Sequence, residues 1–194
     1  DEIGILVPDI GESTTLTKLN VAGNHITARG SAQLATALSS ASSLLEIDVS
    51  RNRLCGADGD SDNKGLKELA ASLAHCGALS ALCIANVGMS DALGDMFMSV
   101  FETPPSKSSA DSPATPQKLR APSNGRLLTR LDLSHNHLGP LFAQALCKVV
   151  PAIPALEILN LSYNDLGVIG GKALAQVMHS ASVTLKSLDV SHNN

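Results

Sequence analysis

One eleven-residue pattern constrains this chain more than anything else in it. Leu-x-x-Leu-x-Leu-x-x-Asn-x-Leu, with aliphatic substitutes, occupies residues 16–26, 44–54, 79–89, 128–138 and 156–166, and begins a sixth time at Leu185. The first positions lie 28, 35, 49, 28 and 29 residues apart, so a 28-residue period accounts for the chain with insertions of 7 and 21 residues. Self-similarity at that period marks stacked supersecondary units, each too small to bury its apolar face alone. Composition agrees: hydrophobic residues are 44% of the chain but aromatics only 2%. An interior so poor in rings must be assembled from many equal contacts of Leu, Ile, Val and Ala.

Each unit has two halves. Alternation of apolar residues, as at Leu131 and Leu133, predicts a short strand. Four-residue steps follow in Gly30, Leu34 and Leu38, in Phe142, Leu146 and Val150, and in Gly170, Leu174 and Met178, and predict one buried face of a helix. Asn24, Asn52, Asn136, Asn164 and Asn193 fall where the chain turns after each strand, where a side-chain amide can satisfy backbone groups that no sheet ladder reaches. The third unit departs from the pattern. Val87 replaces the Asn, Asn86 comes one residue early, and Leu93, Phe97 and Phe101 stand where other units carry smaller groups. A changed turn, a bulkier layer and an interrupted row of amides are expected there.

These six units resemble the ribonuclease-inhibitor type of leucine-rich repeat, and the resemblance extends from Leu16 to the last residue. It implies an α/β solenoid, a horseshoe with a parallel sheet on the concave face and helices on the convex face. Residues 1–15 then read as the remnant of a preceding repeat or an N-terminal flank, although Pro8 argues against a regular helix through them. Residues 16–194 form the repeat domain. The Ser/Pro-rich insertion at about 103–126 has too little apolar surface to offset the entropy of ordering, and is expected to be disordered. Within it Ser112 and Thr115, each followed by Pro, are candidate phosphorylation sites. No cap is recognisable at either end, which predicts an excerpt of a longer horseshoe able to associate end to end.

The same numbers exclude several function classes. With 14 basic and 18 acidic residues the formal charge is −4, which leaves no excess to neutralise a nucleic-acid backbone. No apolar run is long enough to span a membrane, and a cytoplasmic location is expected. Cys55, Cys76, Cys83 and Cys147 have no metal-ligand spacing and read as free thiols. Cys55 and Cys76 bracket a helix too long for a disulfide, and Cys147 reads as a small core residue. Asp58, Asp60 and Asp62 imitate the start of a calcium loop, but Asn63 and Leu69 stand where its Gly and Glu belong. No metal and no cofactor is assigned, and His135, His137 and Asp165 are not read as an ion site.

Residues flanking the strand leucines face the inner surface, so equivalent positions spell out its chemistry. Lys18, Glu46 and Arg130 lie in one row, and Asp48, Asp132 and Asp189 in the next, with Asn160 among them as hydrogen-bonding groups for a polar partner. Lys18 and Arg130 read as isolated positive points. Two rim rows carry Arg51, His135 and Tyr163, then Arg53 and His137, residue types that often dominate interfaces. The expectation is a non-enzymatic protein–protein interaction module of a larger intracellular protein. Such repeats also serve in tropomodulin and in NOD-like receptor sensors. An alternative is a regulator of a small GTPase, since Ran GTPase-activating proteins are built from similar repeats; another is a passive spacer.

Overall fold

The computed structural model describes residues 2–55, 63–101, 127–178 and 184–194. The acidic loop, the whole Ser/Pro-rich insertion at about 103–126 and with it both candidate phosphorylation sites, Ser112 and Thr115, lie outside the described residues. Six strands, β1 Lys18–Asn20, β2 Glu46–Asp48, β3 Ala81–Cys83, β4 Arg130–Asp132, β5 Ile158–Asn160 and β6 Ser187–Asp189, form one parallel sheet in sequential order. Register is regular throughout: Leu19, Ile47, Leu82, Leu131, Leu159 and Leu188 pair from strand to strand. Parallel neighbours require a crossover, and helices α2 Ala28–Leu38, α3 Lys64–His75, α4 Asp91–Ser99, α5 Pro140–Val149 and α6 Gly167–Met178 supply it on one side of the sheet.

The repeat leucines fill the layer between sheet and helices. Leu82, Leu131, Leu133 and Leu161 from the strand side meet Leu34, Leu66, Phe97, Phe142 and Leu146 from the helices, all fully buried. In the last helix the prediction needs correction. Met178 is 42% exposed, and Val177, at 9%, takes the inward place. Four-residue steps precess by about 40° each on a helix of 3.6 residues per turn, so the third member drifts off the buried face. Cys147 likewise is half-buried rather than a core residue.

Residues 2–12 form a 3-10 turn, Glu2–Ile5, and a short helix α1, Val7–Glu12. Pro8 lies in its first turn, where the missing N–H costs nothing, and α1 packs on α2 with Ile3 and Ile10 buried. Contact between successive helices is close for α2 with α3, α4 with α5 and α5 with α6, and light for α3 with α4. At the α2–α3 contact a Cβ on Gly65 would run into the Ala28 carbonyl and the Ser31 hydroxyl. Gly65→Ala is therefore expected to destabilise the chain by about 1–3 kcal/mol through overpacking, measured as a fall in Tm.

The asparagines do what their position predicts. Asn52 Nδ2 donates to the carbonyls of Val21 and Val49, both at 2.9 Å, while its Oδ1 accepts from Ile26 N at 3.1 Å. Asn164 repeats this with Leu133, Leu161 and Leu138. Asn193 repeats it again with Leu161, Val190 and Leu166. Asn24 stands apart: it is exposed and, among the described residues, reaches Val21 and Ala22 of its own turn. Val87 breaks the row with a buried aliphatic group, and Asn136 compensates by accepting from two amides, Val87 N and Met89 N, each at 3.1 Å.

A second connection between repeats was not legible in the pattern. Gly139, the residue before α5, has no side chain to cap that helix, and Asp91 at the start of α4 does so instead. Its carboxylate accepts from the amides of Gly139, Leu141 and Phe142 at 2.9, 3.1 and 2.7 Å. A carboxylate at a helix N-terminus satisfies orphan donors and complements the helix dipole.

Candidate binding face

The outer members of each three-residue strand point away from the helices and make the inner face of the sheet. On it Lys18 is not an isolated positive point: its Nζ pairs with Glu46 Oε1 at 2.8 Å on the neighbouring strand. Both ends of the pair are exposed, so it orients two side chains more than it stabilises the fold. Lys18, Glu46, Asp48, Cys83 and Arg130 line a shallow depression of about 340 Å³. The Cys83 thiol is pushed up by burial first and then by the negative charges of Asp48 and Asp132, with Arg130 opposing them and Glu46 adding least.

The central row is more internally committed than its residue types suggest. Asp48 Oδ1 accepts from Ser50 N at 2.9 Å, and Asp132 Oδ1 accepts from Ser134 N at 3.0 Å and from Ser134 Oγ at 2.7 Å. Their second oxygens accept from the amides of neighbouring strands, Asn20 at 3.5 Å and Asn160 at 3.3 Å. Asp189 Oδ1 accepts from Ser191 N at 2.9 Å, and this N–H, then the Ser191 hydroxyl, holds the carboxyl below its ordinary range. These bonds make a turn just past each strand, of the kind Asp and Asn favour.

That stack lies on the strand-exit rim. His135 and Tyr163 face each other with centroids 4.1 Å apart and planes 11° from parallel, and His192 continues on the other side of Tyr163 at 4.1 Å and 13°. The cause is backbone register. Arg51 N donates to Ala85 O, Asn86 N to Ser134 O, His135 N to Ser162 O and Tyr163 N to Ser191 O, at 2.8 to 3.0 Å, so the parallel ladder runs one step beyond the strands. Every residue of this row is left-handed, with φ 55° at Arg51, 52° at Asn86, 56° at His135 and Tyr163, and 54° at His192. Gly23 holds the first place in the same row at 69°. Arg53 and His137 form the next row outward, where His137 Nδ1 lies 3.9 Å from Asp165 Oδ2.

The structure thus brings together Lys18, Glu46, Asp48 and Arg130 on the inner face, and separately Arg51, His135 and Tyr163 on the rim. His192 follows His135 and Tyr163 in the same rim row when equivalent positions of consecutive units are set side by side; what the row alone does not show is that the three rings stack. All four cysteines are free. Burial pushes the Cys76 thiol up to about 11, and the Cys55 thiol up to about 12. A folded-state pKa above that of the unfolded chain means stability is fully present below about pH 9 and is lost as pH rises towards 11. Unfolding followed from pH 8 to 11 is expected to show this decline, and Cys76→Ala to reduce it.

An inner face of parallel strands, a helical layer behind it and an amide row at each turn define a repeat solenoid. A profile of the leucine-rich repeat family matches residues 12–35, 126–147, 154–175 and 181–194. The chain carries leucine-rich repeats. Among solved structures it is similar to the leiomodin-1 actin-binding site 2, with TM-score 0.61 and 13% identity over 92% of this chain and 86% of that one. It is similar too to the tropomodulin C-terminal domain of Caenorhabditis elegans, with TM-score 0.60 and 10% identity over 92% of each chain. At these identities the likeness is one of fold. No curated protein matches the sequence. Among the described residues no helix is long and apolar enough to cross a membrane.

Proposed function

We propose that the inner face and the strand-exit rim are a contact surface for a protein partner, and that the chain works as a non-catalytic interaction module of the ribonuclease-inhibitor type. The observation that carries this is the fixing of polar side chains by hydrogen bonds within the repeats. Asp48, Asp132, Asn160 and Asp189 are each held by the amide two residues on. Groups already ordered lose little entropy when a partner arrives. The leiomodin-1 structure of the same fold is described as an actin-binding site, which supports contact-making as a use for such a sheet.

A photo-crosslinking residue tests this. Placed at Ile158 on the inner face or at Tyr163 on the rim, it is expected to give a discrete adduct in an extract of the source cells. Placed at Lys172 on α6 it should give none. Adducts from the helical side alone, or from no position, would remove the reading.

A further inference from the structure

The rim row is built against the preference of its own backbone. Left-handed φ suits glycine and is tolerated by asparagine, yet Arg51, His135, Tyr163 and His192 adopt it at a position that Gly23 fills without strain. An outlier repeated in four units points to what the side chains do. All of them, with Asn86, carry hydrogen-bond donors, and none carries a carboxylate. Arg51 is exposed and has no ion pair among the described residues, and neither has Arg53 directly outside it. The inner-face acids Asp48 and Asp132 have turned their oxygens to Ser50, Ser134, Asn20 and Asn160.

We propose that this row, from Arg51 through Asn86 to the His135–Tyr163–His192 stack, holds an extended segment of the partner rich in Asp and Glu. The inference rests on the interaction reading above and names its partner's chemistry. Successive members sit one strand apart, about 4.8 Å, so five of them span about 19 Å. An extended segment of about six residues covers that length at roughly 3.3 Å per residue. Carboxylates at one end meet the two arginines, where a charged acceptor gives a bond about twice as strong as a neutral one. At the other end the imidazole and phenol edges supply donors from a rigid platform. A protein segment fits better than a nucleic acid because the rings are closed on each other at 4.1 Å, leaving no gap between them for a base.

The test uses fluorescence anisotropy with three labelled probes at low salt: an eight-residue Glu/Ser peptide, a Lys/Ser peptide of the same length, and an eight-nucleotide oligouridylate. Saturable binding of the Glu/Ser peptide is expected, weakened at least tenfold in R51G/R53A and unchanged in Lys172→Ala. The Gly at 51 accepts the left-handed backbone, and circular dichroism checks that the fold persists. No binding of the Glu/Ser peptide, or equal loss in both variants, overturns the proposal. Tighter binding of the oligonucleotide overturns it in favour of a nucleic-acid partner. Preference for the Lys/Ser peptide overturns it too, but leaves the inner face as a contact surface, so the two readings fail separately.

Discussion

Asn136→Ala is expected to lower the unfolding free energy by about 3 kcal/mol or more, because three buried backbone groups lose the one partner each has among the described residues. Those groups are the amides of Val87 and Met89 and the carbonyl of Ile84, all bound to this one side chain at 3.1 Å. The other carbonyls it serves are doubly provided for: Leu133 O also accepts from Asn164, and Ser134 O from Asn86 N. Asn164→Ala makes the comparison sharp. Its orphan is the amide of Leu138, since Leu161 O retains Asn193 and Ser162 O retains His135 N, so its cost should be about 1–2 kcal/mol. Urea unfolding of the two variants side by side checks this, and equal losses would contradict it.

Phe142→Ala should cost about 3–5 kcal/mol, the range for emptying a buried aromatic site. Phe142 is fully buried, and its ring packs over Gly94 of the neighbouring helix. A Cβ added at Gly94 would come within 2.8 Å of that ring, and within 2.5 Å of Leu138, in the intact protein. Gly94→Ala is therefore destabilising alone and less so once Phe142 has been truncated. The double variant should be more stable than additivity predicts, a coupling between residues in contact. In a chain with only three phenylalanines the loss of one cannot be shared among other rings.

The architecture was legible because it is periodic. Leu19, Ile47, Leu82, Leu131, Leu159 and Leu188 pair in the register the repeat dictates, and Val87 interrupts the amide row where the pattern is broken. Aliphatic spacing carries that information because every unit solves the same packing problem. The inner face of the sheet was legible in position but not in state. Sequence identifies Asp132 as an inward carboxylate, but not that Ser134 and Asn160 already engage both of its oxygens. It places Lys18 on the inner face without its ion pair to Glu46, which depends on strand adjacency. Nor could it foresee Asp91 capping the next helix, since that bond crosses the longest insertion.

The light contact of α3 with α4 divides the helical backing while the six strands remain continuous. At β3 the small Ala81 and Cys83 face inward and Val87 stands where other repeats place an amide tie. Arg51 lies before this gap in the helical backing and the three rings lie after it. A bend there would change the separation of arginine from rings while leaving each undistorted, so a ligand gripping both would set the local curvature.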